Sequence, residues 1–208
     1  MSRVAIALSA FLLVPSLAFA QRAPARDKQA VTFDEVERGF FLGVEGGVSA
    51  IMNPPADAGR PRPMSWGQMA LVEVGYELLD RVSLALFVMG ATNRASSDYT
   101  GFSPNQVASG DFTTLVPGAT ARISLVGFPD SQGVQRTFFY LRGGIGVASF
   151  FPKALLPYSY GYAFAGPGVE YFTRLRHFSI GLEVTGSALL GATPSTGFAI
   201  TPNLRYAF

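Results

Sequence analysis

Of the side chains able to do chemistry, this sequence offers carboxylates and guanidiniums and little else. It has no cysteine and a single histidine, His177, so a disulfide framework or a thiolate site is excluded. A metal site would rest on one imidazole and scattered carboxylates; no metal and no cofactor is expected. Seven charges stand out: Glu45, Glu73, Arg122, Arg142, Glu170, Glu183 and Arg205. Each falls on the polar parity of a stretch that alternates apolar with polar or small residues. Four acids against three bases would pair with one another and leave one carboxylate protonated, wetted or matched by another segment. Nucleophilic chemistry needs a serine or histidine with an acidic partner. His177 falls at a short connection instead, so no catalytic residue is expected.

The elements that hold these charges follow from the alternation. In "FSIGLEVTGSALL" (178–190), Phe178, Ile180, Leu182, Val184, Ala188 and Leu190 share one parity with Gly186. Ser179, Gly181, Glu183, Thr185 and Ser187 share the other. A helix would mix the two sets around its circumference, whereas a strand separates them. The same separation recurs near residues 40–52, 66–78, 82–91, 112–125, 138–150, 158–172 and in the final "TPNLRYAF", which makes eight strands. The connections alternate in length. Short ones carry "LLDR" and "TRLR", with a longer "VGFPDSQGVQR" on the same side, and the opposite side carries the stretches 53–64 and 92–110, then 151–157 and 191–197. Pro117, Pro167 and Pro202 lie within even-numbered strands, and Pro167 and Pro202 each stand three residues before an inward charge, Glu170 and Arg205, where a bulge aiming that charge, or plain strain relief, is expected.

Composition says where such strands belong. Hydrophobic residues are 49% and charged residues 14% of the chain, against roughly 25% charged in a typical soluble protein. Beyond the first twenty residues no run reads as a membrane helix, because glycines and prolines cut the longest charge-free stretch, 184–204. An apolar chain rich in glycine and aromatics that lacks spanning helices can satisfy its backbone in lipid only as a closed barrel. The expected fold is therefore all-β: a transmembrane up-and-down antiparallel β-barrel of eight strands over residues 39–208. Apolar side chains face lipid and the seven charges face the lumen, since a basic residue at the lipid midplane costs roughly 2–4 kcal/mol. A net charge of +2 is too small to suggest nucleic acid, and none is expected as a partner.

The N-terminus reads as an export signal. Arg3 supplies a positive start, Val4 to Val14 a short apolar core, Pro15 a break, and Ala18 and Ala20 the small residues before a cleavage ahead of Gln21. Residues 1–20 are thus expected to be removed, and residues 21–38 to form a periplasmic N-terminal arm or, alternatively, a short plug. Without cysteine a lipoprotein anchor is excluded.

In "GPGVEYFTRLRHFSIGLEVTG" (166–186) and "TPNLRYAF" (201–208) the chain resembles the small OmpA-like and opacity-type outer-membrane barrels. That resemblance implies an outer-membrane location, contact with outer-membrane lipid and handling by the barrel-assembly machinery, with Leu204, Tyr206 and Phe208 as the assembly signal. The length and glycine–aromatic style also resemble the myxobacterial adventurous-gliding motility barrels, which implies envelope or motility protein partners. The function expected is a non-enzymatic envelope scaffold whose loops, with Arg60, Arg62, Tyr99 and Phe102, meet a partner. The alternative is a narrow passive channel.

Overall fold

The computed structural model describes residues 39–208, except Arg176 and Ala192; the expected signal (1–20) and arm (21–38) lie outside the described residues. Eight strands follow in order: β1 Phe40–Ile51, β2 Ser65–Leu79, β3 Val82–Arg94, β4 Phe112–Pro129, β5 Gln135–Phe151, β6 Ser159–Phe172, β7 Phe178–Leu190 and β8 Ser195–Ala207. Each pairs antiparallel with the next. β1 also pairs with β8, from Phe41 opposite Ala207 to Ile51 opposite Gly197, and this closes the barrel. Closure leaves no sheet edge for another chain to extend. The described residues contain one short 3-10 turn, Pro104–Gln106, and no helix long and apolar enough to cross a membrane.

The period of two sorts side chains as lipid on one side and a filled lumen on the other demand. Leu86 is 72% exposed while its neighbour Phe87 is 3% exposed. Around the outside, Leu42, Val74, Leu84, Leu141, Ile180 and Leu204 present their side chains outward. Aromatic rings collect at both ends of this apolar band, as they do where a barrel meets the two membrane interfaces. Phe40 meets Tyr76 at 4.8 Å and Phe128 meets Phe139 at 5.7 Å at the turn end. At the loop end Trp66 and Phe198 meet at 5.4 Å, both opposite Ala50 in the ladder.

Several strands run further than alternation suggests. β4 and β5 continue pairing to Pro129 opposite Gln135, so the expected long connection contracts to residues 130–134. Asp130 Oδ1 accepts from the backbone N–H of Gln132 at 2.8 Å and of Val134 at 3.1 Å, which ties the turn. β8 begins at Ser195 and β3 runs on to Arg94. A register shift between Ser124 and Val126 leaves Leu125 and Val126 both outward, a local break that strict alternation cannot represent.

The three strand prolines make no bulge, contrary to one expectation. Pro117 pairs with Val88 on one side; toward β5, pairing steps from Leu115–Ser149 to Gly118–Gly146, three residues on each strand. Pro167 and Pro202 repeat this toward β7 and β1. A deleted donor opens a gap on one side of the proline while the register is kept. Glycine accompanies every gap. A Cβ at Gly47, Gly146 or Gly166 would strike the carbonyl oxygen of Ile200, Pro117 or Val184 respectively, so only glycine permits the strands to approach there.

Candidate functional site

The structure brings the seven predicted charges into the lumen, between the middle of the barrel and the turn end. Glu45 on β1, Glu73 on β2 and Glu183 on β7 converge on one guanidinium, that of Arg142 on β5. Arg142 Nη2 donates to Glu73 Oε2 at 2.7 Å, Nη1 lies 3.3 Å from Glu183 Oε1, and Nη1 also bonds Glu45 Oε1. Below this, Arg122 grips Glu170 with both terminal nitrogens, Nη1 to Oε1 at 3.2 Å and Nη2 to Oε2. Ser179 Oγ donates to the same Glu170 at 2.7 Å. Bidentate pairs of this kind fix orientation as well as charge.

The third base, Arg205, has a partner absent from the predicted seven. Its Nη2 lies 3.0 Å from Glu77 Oε1, and its Nη1 lies 4.0 Å from Glu170 Oε1. Glu77 shares the inward parity of Glu73 on β2, and that parity is the signal that marks it. With Glu77 included, five carboxylates face three guanidiniums, an excess of two rather than one. Aromatic faces hold the bases in place. The Arg205 guanidinium lies 3.4 Å from the Phe41 ring centroid and that of Arg122 lies 3.7 Å from Tyr140, a favourable cation–π placement.

The loop half of the lumen is filled differently, by rings and thioethers. Phe87, Met89, Phe112, Phe150, Tyr160 and Phe164 are all buried in one cluster. Phe112 meets Phe150 at 5.9 Å, Phe150 meets Tyr160 at 5.8 Å and Phe87 meets Phe164 at 5.7 Å. Phe164 joins the halves, with Arg142 5.4 Å from its centroid. These residues lie on inward parities, and parity between the outward Leu86 and Val88 would have revealed Phe87.

The loops close over this end. Tyr99 is fully buried, donates from its hydroxyl to Pro55 O at 2.6 Å, and packs on Phe112 at 5.8 Å; burial pushes its phenol up from the ordinary range. Arg62 donates to the carbonyls of Asn53 and Pro194, each at 2.7 Å, and of Pro54 at 2.9 Å. Arg60 Nη1 donates to Ser103 O at 2.7 Å and Thr100 Oγ1 at 2.9 Å. Leu155 and Leu156 are fully buried beneath. Arg60, Arg62 and Tyr99 are therefore anchors that knit the loops together, bonded to the backbone and hydroxyls of neighbouring loop residues. Phe102 leans on the same core and on Tyr158 at 5.2 Å.

His177 sits at the turn end, its Nδ1 2.9 Å from Ala207 O and its ring stacked on Tyr206 at 5.3 Å. Tyr206 also meets Phe178 at 4.9 Å and Phe208 at 5.0 Å, while Leu204 faces outward. Among the described residues, no three of His, Asp and Glu are arranged to hold a metal ion; the lumen acids are turned to arginine.

A closed antiparallel barrel of eight strands is a fold that this chain shares with solved structures of small outer-membrane proteins. Neisserial surface protein A overlays on this chain with a TM-score of 0.59 and 12% identity, covering 82% of this chain and 97% of that one. OprG from Pseudomonas aeruginosa gives 0.48 and 12% over 84% and 98% of the two chains. Ail, the attachment invasion locus protein of Yersinia pestis, gives 0.41 and 14% over 82% and 100%. No protein-family model and no curated protein sequence matches the chain. The motility resemblance finds no support among these neighbours.

Proposed function

We propose that this chain is a non-enzymatic outer-membrane scaffold, a plugged barrel that holds a preformed loop platform at the cell surface for a partner in the envelope or outside it. The observation that carries this reading is the contrast between a filled interior and a tied loop end. Ion pairs occupy one half of the lumen and aromatic rings the other, so a steady passage would require both to rearrange. Meanwhile Arg60, Arg62 and Tyr99 hold the loops in one arrangement over the loop end. In this reading residues 1–20 direct export, residues 21–38 lie in the periplasm, and Leu204, Tyr206 and Phe208 are read by the assembly machinery. A role in gliding motility is one such envelope function; it rests on sequence style alone.

Proximity labelling from an enzyme tag inserted at Ser96 tests the reading in cells. Repeated capture of the same envelope or extracellular protein is the expected result. Conductance in a planar bilayer tests the competing channel, for which a steady open current would replace the scaffold. A deletion strain scored for surface motility decides the narrower role.

A further inference from the structure

Inside the loop half of the lumen lies a cavity of about 40 Å³, walled in part by Ser49, Met69, Met89, Asn93, Thr114 and Ser195. Ser195 is held in turn by the loop anchor Arg62, whose Nη2 lies 3.1 Å from its Oγ. We infer that this cavity is a water site, in which a small cluster of ordered waters is held by Ser49, Asn93 and Thr114 and joins three strands of the wall.

The ladder register sets up the space. Ser49 on β1 stands opposite Gly67 on β2, and Gly67 stands opposite Asn93 on β3. These three form one inward row whose middle member has no side chain. A Cβ at Gly67 would come within 2.9 Å of Asn93 Nδ2, so glycine is what keeps room between the hydroxyl and the amide. Thr114 on β4 stands opposite Ala91, one inward position along β3 from Asn93. Around the space stand polar atoms that the wall itself does not satisfy. Ser49 Oγ, Asn93 Nδ2 and Thr114 Oγ1 are shut off from solvent and have no hydrogen-bond partner among the described residues. Asn93 and Thr114 are 1% and 4% exposed. A buried polar group left in that condition carries the full cost of its desolvation, which is why such groups are nearly always partnered.

Size and lining choose the guest. One water needs about 10–15 Å³ of such space and two to four polar neighbours, so the cavity takes about three. An organic ligand site runs to roughly 300 Å³ or more, far beyond what this one offers. A purely apolar cavity stays dry, but here two hydroxyls and an amide stand among Met69, Met89 and Leu189. The amide nitrogen only donates, while each hydroxyl both donates and accepts. Water does both as well and serves all three groups, whereas an apolar guest serves none. Through the cluster β1, β3 and β4 are tied where these side chains do not bond one another.

Oxygen-17 relaxation dispersion of the solvent, recorded on the full chain in detergent micelles, counts waters held inside a protein and is blind to exchanging hydroxyl protons. Replacing Ser49→Ala, Asn93→Leu and Thr114→Val together should lower that count by about two to three. Thr114→Val alone removes one hydroxyl, keeps the side-chain shape and should lower it by about one; this variant carries the test where circular dichroism finds the triple variant unfolded. In the wild type, xenon under pressure should leave the methyl resonances of Met69 and Met89 unmoved, because the space is already taken. Equal water counts in the wild type and a folded variant overturn the inference, and so do wild-type methionine methyls that shift with xenon, the sign of a dry apolar cavity.

Discussion

The two halves of the lumen solve one packing problem by opposite means. Toward the turns the space is filled by five carboxylates and three guanidiniums, and toward the loops by a chain of rings from Tyr99 through Phe112 and Phe150 to Tyr160. In the charged half each group depends on a named partner, and loss of one strands the others in a medium that cannot solvate them. In the aromatic half contacts are many and individually weak, so losses follow the volume removed. A barrel of this width leaves room for side chains and little else, and it makes no difference to closure which chemistry fills it. It makes a large difference to how the molecule fails.

The sharpest break of this comparison is Arg142→Met. Glu45, Glu73 and Glu183 would be left buried together, and a cost of about 3–5 kcal/mol is expected, read as the urea midpoint followed by the fluorescence of Trp66, the chain's one tryptophan. Adding Glu45→Gln and Glu183→Gln should restore much of that loss; a triple variant as weak as the single one would mean the cluster is not coupled. In the other half, Phe150→Ala should cost about 3 kcal/mol, with no rescue by a second change. Tyr99→Phe removes a buried hydroxyl from Pro55 O and should cost roughly 1–2 kcal/mol, with protease cleavage in residues 95–111 accelerating before the barrel itself is affected.

Asp130→Asn should give the smallest effect. Backbone N–H donors from Gln132 first, then Val134, and the Arg136 side chain hold the Asp130 carboxyl below the ordinary carboxylate range. A depressed folded value means its stabilisation is complete above the unfolded value of about 3.9 and fades as pH falls through the lower folded value. The wild type and variant should therefore differ slightly at pH 7 and converge in acid. A gap that widens on acidification would contradict the assignment.

Much of this molecule is written in parity. Lipid outside and a crowded lumen inside impose a binary choice at every position, so Glu45, Glu183 and Leu86 reveal their side from the neighbours alone. Parity carries less at strand ends, where Pro129 and Gln135 pair through turn chemistry that alternation does not describe. It fails at Ser124–Val126, where one extra residue resets the count. It also cannot say which inward residue touches which: Arg142 meets acids from three strands because closure brings them together across the lumen, which no local pattern records. The loop anchors escaped for a related reason. Arg62 and Tyr99 have the composition of contact residues, and only the fold reveals that their polar atoms are spent on Pro54, Pro55 and Pro194.

The paired proline and glycine positions of the wall carry a consequence for assembly. Pro117, Pro167 and Pro202 tolerate only a place where no donor is asked of them, and Gly47, Gly146 and Gly166 sit beside those places. A strand that slid by a single residue would turn its greasy face inward and bring a ring nitrogen to a site that demands a hydrogen. The missing bonds thus act as a ratchet on alignment: they subtract a little cohesion from every correctly zipped cylinder and far more from a misaligned one.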